Sequence, residues 1–147
     1  TLLGMLLVIG VMGAGLAAYG QIASHAAQRE KEAELIFRGR QYREAIESYY
    51  RKEQTYPSSL GELLSDNRYP SAVRHLRRLY ADPITGKAQW GLMQTPDGNG
   101  IMGVYSTSEQ APIKTGNFGR ANQHFAEAKS YKDWQFFHSP AGAPPAR

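Results

Sequence analysis

The residues of this 147-residue chain that could do chemistry are four histidines, one acidic turn and a knot of arginines. His25, His75, His124 and His138 stand far apart and share no His-Glu-x-x-His spacing, so they read as solvated or packing histidines. Asp97-Gly98-Asn99-Gly100 has the opening of a calcium loop but lacks the further oxygen ligands and the closing Glu; a hairpin turn accounts for it. The chain has no cysteine, which removes thiolate metal sites, Cys nucleophiles and disulfides. No Gly-x-Ser-x-Gly elbow, phosphate-binding loop or acid–base constellation can be assembled, so no enzyme, no cofactor and no metal is expected. Arg74, His75, Arg77 and Arg78 form the densest basic cluster, expected on a short helix and suited to anions.

These groups belong to a chain of two unlike parts. All seventeen Lys and Arg and all thirteen Asp and Glu lie at or after Arg29, whereas the first nineteen residues carry no charge. Nineteen helical residues reach roughly 28 Å, close to the ~30 Å hydrocarbon thickness of a bilayer, so this segment can span one once. It has neither the basic region nor the small-residue cleavage site of a secretory signal, so the apolar stretch is expected to stay in the mature protein. Arg29 and Lys31 after the span would by themselves favour a cytoplasmic head. Gly4, Gly10, Gly13 and Gly15 would together cost an aqueous helix about 4 kcal/mol. In lipid, small residues four apart let helices approach closely, and Gly10, Ala14 and Ala18 form such a ridge, with Gly13 and Ala17 beside it.

No turn signal interrupts the pattern until Tyr56-Pro57, so one helix is predicted from about Leu2 to Glu53, on the order of 80 Å long. Leu35, Tyr42, Ala45, Ile46 and Tyr49 keep one face and should pack on the head. Glu34 with Arg38, and Glu47 with Arg51, are (i, i+4) pairs that solubilise the other face. Ser59 and Glu62 suggest a capping box for a short helix through about Ser65, and Tyr69-Pro70-Ser71 opens another through Leu79. Ala88 to Gln94 and Ile101 to Ser106 flank the Asp-Gly turn as a hairpin, and Trp134, Phe136 and Phe137 suggest a third strand. The expected fold is α+β: a long N-terminal helix packed on a small head with short helices and a three-stranded antiparallel sheet. Its parts are a membrane-compatible half-helix over 1–28, an amphipathic half over 29–53, a head over 54–138 and a frayed tail over 139–147.

This layout resembles the type IV filament family, and within it the pseudopilins of type II secretion. The resemblance rests on Thr1-Leu2-Leu3, on Leu6-Leu7-Val8-Ile9, on the shaft, on Tyr56-Pro57 with Leu60, Leu63 and Leu64, and on Ala81-Asp82-Pro83-Ile84-Thr85-Gly86. It implies a pilin-like subunit whose leader is removed by a prepilin peptidase, usually leaving a methylated Phe before Thr-Leu. It further implies an inner-membrane, single-pass subunit with a periplasmic head, polymerising into a periplasmic or surface filament with an assembly ATPase and a membrane platform. Most members carry a Glu where this chain has Gly4, a residue thought to neutralise a neighbouring subunit's amine; its loss removes a costly buried charge and a register device together. Some pseudopilins hold calcium in a C-terminal loop, but only Glu109 and Glu127 stand between Tyr105 and Asp133, so that site is not carried over.

The expected function is therefore assembly of a homo-oligomeric helical filament, with Leu3, Gly4, Leu7, Gly10, Gly13, Ala14, Ala17 and Ala18 as the packing surface. Arg74, Arg77 and Arg78 are expected to meet acidic groups of adjacent subunits; DNA phosphates are the lesser candidate, since no aromatic-interleaved groove is evident. Three rivals stay open: a monomeric membrane-anchored binding module, a minor tip subunit lacking the usual Glu, and a secreted hydrolase with an unusual signal.

Overall fold

The structure is a computed structural model that describes residues 1–142. One helix, α1 (Leu2–Glu53), runs unbroken for 52 residues, about 78 Å at the standard rise, and is long and apolar enough to cross a membrane. Gln54 ends it in a left-handed conformation (φ 56°), its N–H donating to the Tyr50 carbonyl, while Arg51 and Lys52 in the last turn complement the helix dipole. Residues 1–27 are all exposed. The buried stripe then begins at Glu32 and continues through Leu35, Gly39, Tyr42, Ile46 and Tyr49 at helical spacing.

The head carries a three-stranded antiparallel sheet, β1 (Gly91–Gln94), β2 (Ile101–Tyr105) and β3 (Gln135–Phe137), in the order β1-β2-β3. Leu92 faces Val104, which faces Phe136; Val104 and Phe136 are fully buried, and β2 and β3 lie on the shaft. A bulge between Met93 and Gln94 leads into the turn, where Gly98 takes φ 73° and Asp97 accepts hydrogen bonds from the Thr95 hydroxyl and the Asn99 amide. Trp134 closes the core, stacked on Phe125 at 5.2 Å and met edge-on by Tyr131. The α+β, pilin-like architecture is thus the one expected, with Glu34–Arg38 and Glu47–Arg51 both at 2.5 Å.

Three local expectations are corrected. The first short helix is a single 3₁₀ turn, Leu60–Leu63, and the Ser59 side chain does not cap it. Glu62 accepts instead from the N–H and hydroxyl of Ser58, one residue earlier. No helix follows Pro70: Val73 bridges Asp66, and the N–H groups of His75 and Leu76 both donate to the Leu63 carbonyl at 2.9 Å. The backbone of Val73, His75 and Leu76 is committed to Asp66 and Leu63 instead of to a helical ladder, while the Asp66 carboxylate takes the Arg68 N–H on one side and the His75 ring on the other. Between β2 and β3 stand two 3₁₀ segments that were not expected, Arg120–Glu127 and Tyr131–Asp133, the latter closed by a Ser130–Asp133 capping box. Ser139 to Gly142 make a turn with a 2.9 Å hydrogen bond; the rest of the expected tail, 143–147, lies outside the described residues.

Candidate assembly surface and basic cleft

Every residue expected to pack helices lies on the exposed part of α1: Leu3, Gly4, Leu7, Gly10, Gly13, Ala14, Ala17 and Ala18. The helical period places Gly10, Ala14 and Ala17 within about 60° of arc, flanked by Gly13 and Ala18, and Leu3 falls within the same arc. A Cβ on Gly10 or Gly13 would meet nothing within 4 Å, so no intrachain contact requires glycine there. On Gly4 it would meet only Thr1 Oγ1 at 3.7 Å. This surface can take a second helix at close range and offers no polar group to one.

Where the shaft enters the head, Glu32 is 2% exposed and, among the described residues, has no cation within ion-pair distance. Its carboxylate accepts from the Ile113 N–H at 2.5 Å, the Lys114 N–H at 3.3 Å and the Tyr131 hydroxyl at 2.8 Å. Gln28 donates to Tyr131 Oη and to the Ala111 carbonyl. Burial pushes the Tyr131 phenol up to about 12, with Glu32 adding to the rise. The collar thus ties residues 111–114 and 131 to one turn of α1. Sequence reading missed it; an acidic residue in register with Leu35 on an apolar helix face was the available sign.

Higher on the shaft a second network was also missed. Asp66, with no side-chain exposure, receives Arg68 Nε and Nη2 at 2.9 and 2.8 Å, while His75 Nε2 lies 2.9 Å from it. The Arg68 guanidinium outweighs burial and holds the Asp66 carboxyl well below the usual carboxylate range. Arg68 also donates to the Tyr49 carbonyl and stacks 3.5 Å over the Tyr49 ring. Tyr49 donates to Glu62 at 2.7 Å, and burial, with help from Glu62, pushes its phenol to about 12. Ser48 Oγ lies 2.7 Å from His75 Nδ1, completing the order Ser–His–Asp. Ser48 sits inside α1, where its own N–H is engaged in the helical ladder, so the chain of three ties the shaft to residues 66–75 of the head.

That pin presents the arginines. Arg74, Arg77 and Arg78 are exposed on an irregular segment, with the buried Leu76 between them, and border an open cleft of about 690 Å³ completed by Arg38 and Tyr80. Tyr80 is fixed by the Tyr42 hydroxyl on its N–H at 2.9 Å and by Trp90 Nε1 on its carbonyl at 2.7 Å. Its ring takes the guanidiniums of Arg38 at 4.2 Å and Arg78 at 5.3 Å. Among the described residues Arg74, Arg77 and Arg78 have no carboxylate within ion-pair distance.

The remaining histidines stand apart. His25 is on the exposed stalk, His124 is half-buried against Phe125 with its basicity lowered by burial, and His138 packs on Tyr50. Among the described residues no group of three His, Asp or Glu side chains could hold a metal. Comparison with protein-family models, with curated proteins and with solved structures found no match.

Proposed function

We propose that this chain is the structural subunit of a helical filament of the type IV pilus or type II secretion pseudopilus kind. One observation carries the reading: an unbroken α1 whose first 27 residues are all exposed, with an apolar run over residues 2–19 lined with small residues, leading directly into a well-packed head. Such a surface is tolerable in lipid or against like helices and in neither case meets water. The subunit waits in the inner membrane with its head on the periplasmic side, and its stalk then passes from lipid into a helix-packed core. Lipid and a bundle of like helices are similarly apolar, so extraction keeps the stalk buried, and close packing supplies the net gain. Gly4 in place of the usual Glu means that register comes from the glycine and alanine ridge. An assembly ATPase and a membrane platform follow from the resemblance.

The test uses the absence of native cysteine. A cysteine at Ala14 in the full chain crosslinks copies into ladders where stalks pack together, and Gly10→Leu in the same chain abolishes ladders and fibres while the head keeps its unfolding midpoint. Undiminished ladders and fibres from Gly10→Leu would sink the ridge. A chain that stays monomeric under conditions of active assembly is instead the monomeric membrane-anchored binding module.

A further inference from the structure

The cleft holds Arg74, Arg77 and Arg78 without a counter-charge, since Arg38 at its edge already meets Glu34, and this chain can barely provide one. Glu32, Asp66 and Asp82 are buried on internal donors. Glu34, Glu44, Glu47, Glu53 and Glu109 each face a cation of their own molecule. Glu62, Asp97 and Asp133 hold hydroxyl or backbone donors. Among the described residues that leaves Glu30, low on α1, and Glu127, at the end of a 3₁₀ segment, as the carboxylates without such a cation or donor, too few and too far apart in the chain to answer Arg74, Arg77 and Arg78 together.

The walls are also informative. The cleft continues, through Arg38, Arg78 and Tyr80, into a groove that includes Leu79, Pro83 and Glu34, whose charge Arg38 meets, and Pro83 and Glu34 in turn border a depression beside Phe37 that also holds Glu30 and Lys31. Among the described residues Leu79, 47% exposed, is the most exposed large apolar side chain of the head, and Phe37, on the adjoining stretch of α1, is 44% exposed. Arg38 and Arg40 lie over the Phe37 ring at 5.4 and 5.6 Å. A phosphate backbone has no use for Leu79 and Phe37, and it is gripped by cations strung along a stripe rather than gathered at one concave end. Guanidiniums beside exposed aromatic and aliphatic groups are the composition of a protein-binding surface. Along α1, Arg38 stands nineteen residues beyond Tyr19, about 28 Å, which carries the cleft clear of a headgroup layer at the end of the span.

We infer that this groove docks an acidic, partly apolar segment of a different protein, its carboxylates on Arg74, Arg77 and Arg78 and its apolar side chains on Leu79 and Phe37. The inference goes beyond filament formation, because it concerns a partner other than this chain and a surface separate from the stalk.

Fluorescence anisotropy on the full chain in detergent micelles tests it with three labelled probes: a short peptide alternating Glu and Leu pairs, an oligoglutamate of the same length, and a short DNA duplex. The Glu–Leu peptide is expected to bind at least about tenfold more tightly than oligoglutamate and to weaken with salt. Reversing Arg77→Glu with Arg78→Glu should weaken it by about tenfold or more, and Leu79→Ser by a smaller factor. Arg77→Gln alone, on an exposed side chain, keeps the measurement valid where the double reversal disturbs folding. Equal or tighter binding of oligoglutamate, tighter binding of duplex DNA, or indifference of the peptide to all three variants overturns the inference. So does loss of self-association in the arginine variants, which would make the cleft a contact between copies.

Discussion

A Cβ built on Gly39 would lie 2.4 Å from three carbons of the Phe136 ring, so β3 meets the shaft ring against backbone. Phe136 cannot retreat, because it is fully buried and its ring is braced edge-on by Phe125 at 5.1 Å. Gly39→Ala is therefore expected to lower head stability by about 1–3 kcal/mol, the usual cost of overpacking, despite improved helix propensity. Thermal unfolding of the full chain in micelles measures it, and Phe136→Leu in the same chain should recover part of the loss. An unchanged midpoint for Gly39→Ala would contradict the contact.

Glu32 gives the second test. Glu32→Ala strands the Ile113 and Lys114 N–H groups and the Tyr131 hydroxyl, for an expected loss of about 3 kcal/mol. Glu32→Gln keeps an acceptor and should lose less. Hydrogen exchange at residues 113 and 114 should quicken more than exchange in β2 for both variants.

Acid stability follows from Asp66. Its folded carboxyl titrates far below its unfolded value of about 4, so the stabilisation is whole above about pH 5 and is lost as pH falls through the folded value. The unfolding midpoint should be flat with respect to this group above about pH 5 and drop below pH 4. Asp66→Asn should flatten that acid limb while lowering the plateau, since Arg68 then loses its charged partner. A wild-type acid limb that survives Asp66→Asn unchanged would assign it to other carboxylates.

At the alkaline end the sign is reversed. Tyr49 and Tyr131 titrate near 12 when folded, chiefly through burial, against about 10 unfolded, so their contribution is whole below pH 10 and lost as pH rises to 12. Absorbance of tyrosinate should therefore rise together with unfolding in that window. Tyr131→Phe should lower the neutral-pH plateau and soften the alkaline fall. Ionisation of both phenols in a still-folded head would refute the assignment.

The long helix, its head-facing stripe and the sheet were legible in the sequence because each is a periodic signal carried by neighbouring residues. Leu35, Tyr42, Ile46 and Tyr49 repeat at helical steps, and the Asp97-Gly98 turn separates two short apolar runs. The shared face of Gly10, Ala14 and Ala18 was legible for the same reason, since it follows in any helix, while its use in packing belongs to the proposal. What failed was local reading around Asp66, where a buried carboxylate overrode the helical pattern of residues 71–79. Propensity is worth a few tenths of a kcal/mol per residue, and a buried ion pair with its hydrogen bonds is worth several times that to the conformation that makes it.

By itself, then, the amino-acid order determined the division into an oily rod and a charged head, the rod's exposed ridge and the sheet, because these depend on spacing along the chain. Only the tertiary structure decided that Glu32 clamps residues 113, 114 and 131, and that His75 joins Ser48 to Asp66. It alone placed Arg38, on the shaft, beside the arginines of residues 74–78. Those groups lie tens of residues apart, and their meeting is set by how the head folds back on α1, an arrangement that no local period encodes.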